Sequence, residues 1–263
     1  MTPHTYLEHG LTILKARLDG SAANFQSAAS RSIHPFITLS REVCAGATTL
    51  GHALVPKLNA ELGEPGQDWV LLDKDLLSYA LARHELPAQL ARYLPEDRIS
   101  EIDNAIGEIV GLHPSIWELE QQVAQTIVQL AQEGRFIFVG RAAHLLTRSL
   151  PGGLHVRLVA GRETRIRRLA AQQGCEPSQA AAQVERTDQA RRKFVKSHFG
   201  REIDDPHTYD LIINTDRTSP ATVVALVLEG LRDQVRRAQD SAADGALHPS
   251  EAEPEHAVWT IYD

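Results

Sequence analysis

A chain of 263 residues with 43% hydrophobic residues is long enough to bury a sizeable core and too apolar for a disordered polymer. Its net charge of −7 argues against binding to nucleic acid polymers, and its two cysteines, Cys44 and Cys175, make neither a disulfide framework nor a metal cluster. No apolar run approaches the length that spans a bilayer, and the N-terminus lacks a basic-then-apolar leader, so a cytoplasmic protein without a membrane partner is expected.

In residues 1–20, Leu7, Leu11, Leu14 and Leu18 recur at helical spacing, and the small polar residues 21–32 read as a linker. The leading helix is either an add-on packed on the main core or a contact for a homodimer. Phe36-Ile37-Thr38-Leu39 then reads as a buried strand. A loop of mostly small residues follows, from Ser40 to Ala47, and Thr48 and Thr49 open a helix with Leu50, Leu54 and Leu58 on one face. Strand, small-residue loop and helix start is the arrangement that binds phosphate, because backbone N–H groups and the helix dipole both face the anion. Laid over G-x-x-x-x-G-K-[ST], Gly46 takes the second glycine, Ala47 stands where the lysine belongs, and the first glycine falls on Arg41 or Ser40. A tight strand-to-helix connection with no ligand is the alternative reading of this stretch.

Pro56 is expected to kink the first helix or break it early. Trp69–Leu72 is a second strand, ending at Asp73-Lys74-Asp75, with Asp75 able to cap a following helix. Residues 84–114, broken by Pro87, Pro95 and Pro114, read as a helical insertion. Ser115 and Glu118 form a capping box for a helix that runs to about Gln132 and stops at Gly134. Phe136–Val139 is a third strand, ending at Gly140-Arg141, and a helix is expected from Ala142 to Ser149. Leu154–Val159 is a fourth strand, Arg162–Gln173 an arginine-rich helix, and Pro177 to about Phe199 a long helix with Asp188 and Arg191 one turn apart. Tyr209–Asn214 is a fifth strand, and Ser219-Pro220 opens a helix that runs to about Arg237. Residues 238–263 read as a disordered tail.

Five buried strands alternating with helices give an α/β fold, a doubly wound five-stranded parallel sheet with Phe36–Leu39 at its centre. Ligands of such sheets bind at the carboxyl ends of the strands, here Ser40-Arg41-Glu42, Asp73-Lys74-Asp75, Gly140-Arg141 and Asn214-Thr215-Asp216. Between Arg157 and Arg201 there are 11 basic and 4 acidic residues, so a segment of +7 sits in a remainder of −14. That asymmetry suits a small anionic ligand; an exposed basic helix surface would give the same count.

The pieces ITLSRE with its small-residue loop and TT, LLDKDLL, FVGRAAHLLTR, LPGGLHVRLVA and RTDQARRKFVKSHFGREIDDPHTYDLIINTD stand in an order and spacing that resembles the cytidylate kinase-like family. This is a branch of the P-loop nucleoside monophosphate kinases, and the likeness runs from about Phe36 to Arg232. It implies a kinase-like domain over 33–237 with a lid near 160–200. It also implies ATP as phosphoryl donor, Mg²⁺, and a nucleoside monophosphate acceptor of CMP type. Carried over by position, Ser40, Arg41, Gly46, Ala47, Thr48 and Thr49 would hold the donor phosphates, with Thr48 or Thr49 near Mg²⁺. Arg162, Arg165 and Arg168 would belong to the lid that closes over ATP. Asp73 and Lys74 would lie at the acceptor, Arg141 on its phosphate, and Asp188 and Arg191 in the acceptor-binding helix. Ala47 and Cys44 depart from the pattern, which leaves Arg41, Lys74 or a lid arginine to supply the missing cation. Two other readings stay open: a nucleotide-binding sensor with little catalysis, and a kinase of another small metabolite on the same fold.

Overall fold

The structure is a computed structural model that describes residues 12–13, 33–63, 67–73 and 116–243. Five strands form one parallel sheet: β1 (Phe36–Arg41), β2 (Val70–Leu72), β3 (Phe136–Val139), β4 (Gly153–Val159) and β5 (Leu211–Asn214), in the spatial order β2-β3-β1-β4-β5. The first strand is central, so the loop after it opens where the strand order reverses, the place where such sheets bind ligands.

Period-two alternation assigns each strand residue to a face. Ile37 and Leu39 of β1, Ile137 and Val139 of β3, and Leu154, Val156 and Leu158 of β4 point to one side. They pack there with Leu50, Leu54 and Leu58 of α1 (Ala47–Leu62) and with Val223, Val227 and Leu231 of α6 (Pro220–Ala243). The opposite face is apolar across β2 and β3, where Phe136 and Phe138, with Phe36 of β1, meet Ile127 and Leu130 of α2 (Ile116–Glu133). On β1 and β4, beyond Phe36, this face turns polar. Thr38, Ser40, His155 and Arg157 are each less than 9% exposed there. Parallel register sets Thr38 beside His155 and Ser40 beside Arg157.

Several boundaries differ from expectation for identifiable reasons. The helix α1 runs unbroken through Pro56, which lies on the exposed side, where water can take the backbone bond that proline cannot donate. The helix expected over 142–149 shrinks to the single turn α3 (Ala143–Leu146), because Ala142 adopts φ 49° and the Thr147 hydroxyl bonds back to the Ala143 carbonyl at 2.7 Å. Leu211, rather than Tyr209, opens the fifth strand, Tyr209 being held in the turn that closes the short 3₁₀ segment Pro206–Thr208. The last helix continues to Ala243, six residues past the expected end near Arg237, since 238–243 holds no proline or glycine to stop it. Of the leading helix, Thr12 and Ile13 are described and helical, with Ile13 packed on the phenylalanine cluster; the rest, and the 84–114 insertion, lie outside the described residues.

Candidate active site

The loop after β1 has the backbone of an anion site. Gly46 precedes α1 with φ 96° and ψ 16°, a conformation that favours glycine, and no side chain caps the helix. The first helical bond runs from Leu50 N–H to the Gly46 carbonyl, so the N–H groups of Ala47, Thr48 and Thr49 fall outside the ladder. Of these residues, Ala47 is buried, Thr48 half-buried and Thr49 exposed. A uncompensated helix start of this kind fits donor phosphates, and the two threonine hydroxyls fit an oxygen-seeking Mg²⁺.

The shape of this loop is imposed from a distance. Cys44 holds φ 56°, a left-handed conformation rare for a residue with a Cβ. Two helices grip the segment around it: α4 (Arg162–Gln173) and α5 (Pro177–Phe199). Asp188 of α5 accepts from Val43 N–H at 3.0 Å through Oδ1 and pairs through Oδ2 with Arg165 of α4. Arg165 also donates from Nε to the Ala160 carbonyl at 3.0 Å and lies 3.4 Å from Glu42, whose carboxylate accepts from Ala160 N–H at 2.9 Å. Arg168 donates to the Cys44 carbonyl at 3.1 Å and lies 3.6 Å from Asp216, and Arg191 donates to the Arg41 carbonyl at 3.3 Å. Val43 packs beneath with Ile166, Leu169, Ala180 and Val184. Burial pushes the Cys44 thiol above its ordinary value, against the pull of Arg168, so it is not an activated nucleophile.

A second feature closes the other side of β1. Gly140, Arg141 and Ala142 carry φ of 84°, 58° and 49°, three left-handed residues in succession. The two non-glycine residues each store about 1–3 kcal/mol of strain, a cost typical of binding loops. The result is a cleft in which Ser40, Arg41, Arg141 and Arg191 meet, with His144, Phe194, Val195 and Ile203 completing its wall. Three guanidinium-bearing residues around one space suit a phosphate, which each can hold with two parallel bonds.

The structure therefore brings Ser40, Arg41, Arg141 and Arg191 together. Asp188 and Arg165 lie beneath the loop after β1, at 8% and 7% exposure, with Asp188 turned towards its backbone. Arg162 projects outward beside Glu163, and Arg168 sits on the loop's outer edge. Asp73 is buried at the end of β2, and Lys74 lies outside the described residues. The sequence reading missed His144, Arg157 and Tyr209. A usable signal was present for one of them: in Leu154-His155-Val156-Arg157-Leu158 polar and apolar residues alternate, so β4 had to carry a polar face.

A central strand, a small-residue loop at its carboxyl end and basic helices bonded to that loop define a P-loop kinase-like α/β protein. The profile of the cytidylate kinase-like family matches residues 36–217, and the chain belongs to that family. It is 26% identical over 165 residues to a cytidylate kinase of Pyrococcus horikoshii, covering 63% of this chain and 83% of that protein. It is 32% identical over 82 residues to a cytidylate kinase of Thermoplasma volcanium, covering 31% of this chain and 43% of the relative. Among solved structures, an uncharacterized protein from Eubacterium ventriosum superimposes with a TM-score of 0.52 at 17% identity, over 76% of this chain and 99% of that one. Among the described residues no helix is long and apolar enough to cross a membrane.

Proposed function

We propose that this protein transfers the γ-phosphoryl group of ATP to a nucleoside monophosphate of CMP type. The observation that supports this most is the convergence of Arg41, Arg141 and Arg191 in one cleft at the carboxyl ends of β1 and β3, beside an uncapped helix start. In-line phosphoryl transfer needs two anionic substrates held close and the charge on the transferring oxygens neutralised; it needs little covalent chemistry from the protein.

The backbone N–H groups of Ala47, Thr48 and Thr49 hold the donor phosphates, and Arg41 supplies charge in place of the absent lysine, with Lys74 as the other candidate. The Thr48 or Thr49 hydroxyl would hold Mg²⁺, which when bound would add to the neutralisation of the donor phosphates. Arg141 and Arg191 hold the acceptor phosphate. Arg165 and Asp188 are positioning residues that fix the loop, and Arg162 and Arg168 form its outer rim towards ATP. Asp73 is the acidic group on the acceptor side.

The test is a phosphotransfer assay of the purified full chain with Mg-ATP over the nucleoside monophosphates, with ATP binding measured in parallel by calorimetry. Turnover of a pyrimidine monophosphate is expected. Tight ATP binding without turnover of any monophosphate would instead select a nucleotide-binding sensor, a reading that Ala47 in the lysine position favours.

A further inference from the structure

The cleft is not uniformly cationic. Besides its arginines it is lined by Ser40 and His144 and by the apolar Phe194, Val195 and Ile203. His144 is 3% exposed and stacks on Tyr209, with ring centroids 4.6 Å apart and planes at 24°. Its Nε2 has no hydrogen-bond partner among the described residues, although a buried polar nitrogen ordinarily finds one. Burial, with His155 and Arg157 adding to it, lowers the His144 pKa to about 3, so the ring is neutral at physiological pH.

Ser40 is neutral too, and the direction of its hydrogen bonds is determined. The Tyr209 hydroxyl donates its single proton to the Ile203 carbonyl at 2.8 Å. The 3.2 Å contact between Ser40 Oγ and Tyr209 Oη must then be a donation by the serine. Arg157 meanwhile donates to Ser40 Oγ at 3.0 Å. The serine proton is spent, and the one lone pair left on Oγ can only accept. An acceptor-only oxygen repels a phosphate oxygen and welcomes an O–H or N–H group.

We propose that His144 is a specificity-determining residue whose Nε2 bonds an uncharged polar group on the sugar or base of the acceptor, with Ser40 accepting beside it, while Arg141 and Arg191 take the acceptor phosphate. The inference rests on the kinase reading and deepens it: the acceptor is a molecule with an anionic end and a neutral hydrogen-bonding end, and a bare phosphate or a phosphorylated acid would leave His144 unsatisfied. A site built to hydrogen-bond a ligand group discriminates strongly against ligands lacking it, because its own polar atoms are then stranded.

The experiment measures binding of CMP, ribose 5-phosphate and inorganic phosphate to the full chain and to His144→Phe and His144→Gln by calorimetry, without turnover, with thermal melts on each protein. The Phe variant keeps a flat ring over Tyr209 and loses the nitrogen; the Gln variant keeps a hydrogen-bonding group. The expected result is at least a tenfold loss of the preference for CMP over inorganic phosphate in the Phe variant, with phosphate affinity changed less than threefold, and recovery of most of that preference in the Gln variant. Should the Phe variant fail to fold, the Gln variant alone is decisive when compared with His144→Ala under the same criterion. Equal weakening of all three ligands, or no change in any, overturns the role of His144 while leaving the kinase reading intact. A parent protein that binds none of them overturns both.

Discussion

Replacing Arg165 with methionine removes the cation at the centre of the network under the loop after β1. The guanidinium is 7% exposed and serves Asp188, Glu42 and the Ala160 carbonyl together. Its loss strands Asp188, itself 8% exposed, with Arg191 at 3.9 Å as the remaining cation close by. Breaking a buried ion pair from one side typically costs about 3–5 kcal/mol. At roughly 2–4 °C per kcal/mol for a domain of this size, the melting temperature should fall by roughly 6–20 °C. The companion Asp188→Asn keeps an oxygen for Val43 N–H and removes the stranded charge, so the double variant should recover part of the loss, with a coupling of about 0.5–3 kcal/mol. Thermal unfolding followed by circular dichroism, on the parent, both single variants and the double variant, supplies all four corners. A melting temperature within 3 °C of the parent for Arg165→Met, with additive effects in the double variant, would refute the claim that this pair holds the loop.

Further outcomes follow from the same geometry. Arg141→Lys keeps charge and loses the two-pronged guanidinium, so acceptor KM or kcat should worsen while ATP affinity holds; unchanged kinetics in an active protein would remove Arg141 from the acceptor site. Of Arg41→Ala and Lys74→Ala, made separately, at least one should weaken Mg-ATP binding by roughly tenfold, about 1.4 kcal/mol, in calorimetry; two variants that bind like the parent would end the idea of a substitute cation. Acid should destabilise the fold through its buried histidines. Burial lowers the pKa of His144 to about 3, and that of His155 also falls, against an ordinary value of 6.5. The neutral forms are favoured on folding, so their contribution is complete above pH 6.5 and is lost as pH falls below it, at up to about 1.4 kcal/mol per pH unit for each histidine. Denaturant titrations at pH 7, 6 and 5 should therefore give a shallower fall for His144→Phe than for the parent; identical slopes would contradict a neutral His144.

The sheet was legible because Phe36–Leu39, Trp69–Leu72 and Phe136–Val139 are short, mostly apolar runs with polar punctuation. Phe36–Leu39 takes the centre as expected, and Gly134 stops its helix at φ 74°. The convergence of Arg41 with Arg141 followed from strand ends alone. What periodicity could not disclose was direction. Arg165 and Arg168 stand one turn apart on one helix, yet the first is buried and the second exposed, because the face that meets Val43 and Ala180 is chosen by tertiary packing. Asp188 does form the helical ion pair its spacing suggests, with Arg191 at 3.9 Å, but it also reaches outside its own helix, to Arg165 and, across 145 residues, to Val43 N–H. His144 escaped for a related reason: in HLLTR nothing marks it as buried, and its place is set by the left-handed turn at Gly140–Ala142, which no local preference would choose.

The grip of Asp188 and Arg168 on Val43 and Cys44 bears on what this protein's parts can do alone. In many phosphate loops glycines let the backbone reach its curve unaided. Here the bend at Cys44 is dictated by helices encoded more than a hundred residues downstream, so the loop is a shape held in trans by its own chain. Grafting Phe36–Leu62 into another parallel sheet would carry the strand and the helix across and leave the curve behind. Helices α4 and α5 are bonded to that same loop through Arg168, Asp188 and Arg191, so an outward movement of either would withdraw a bond from it.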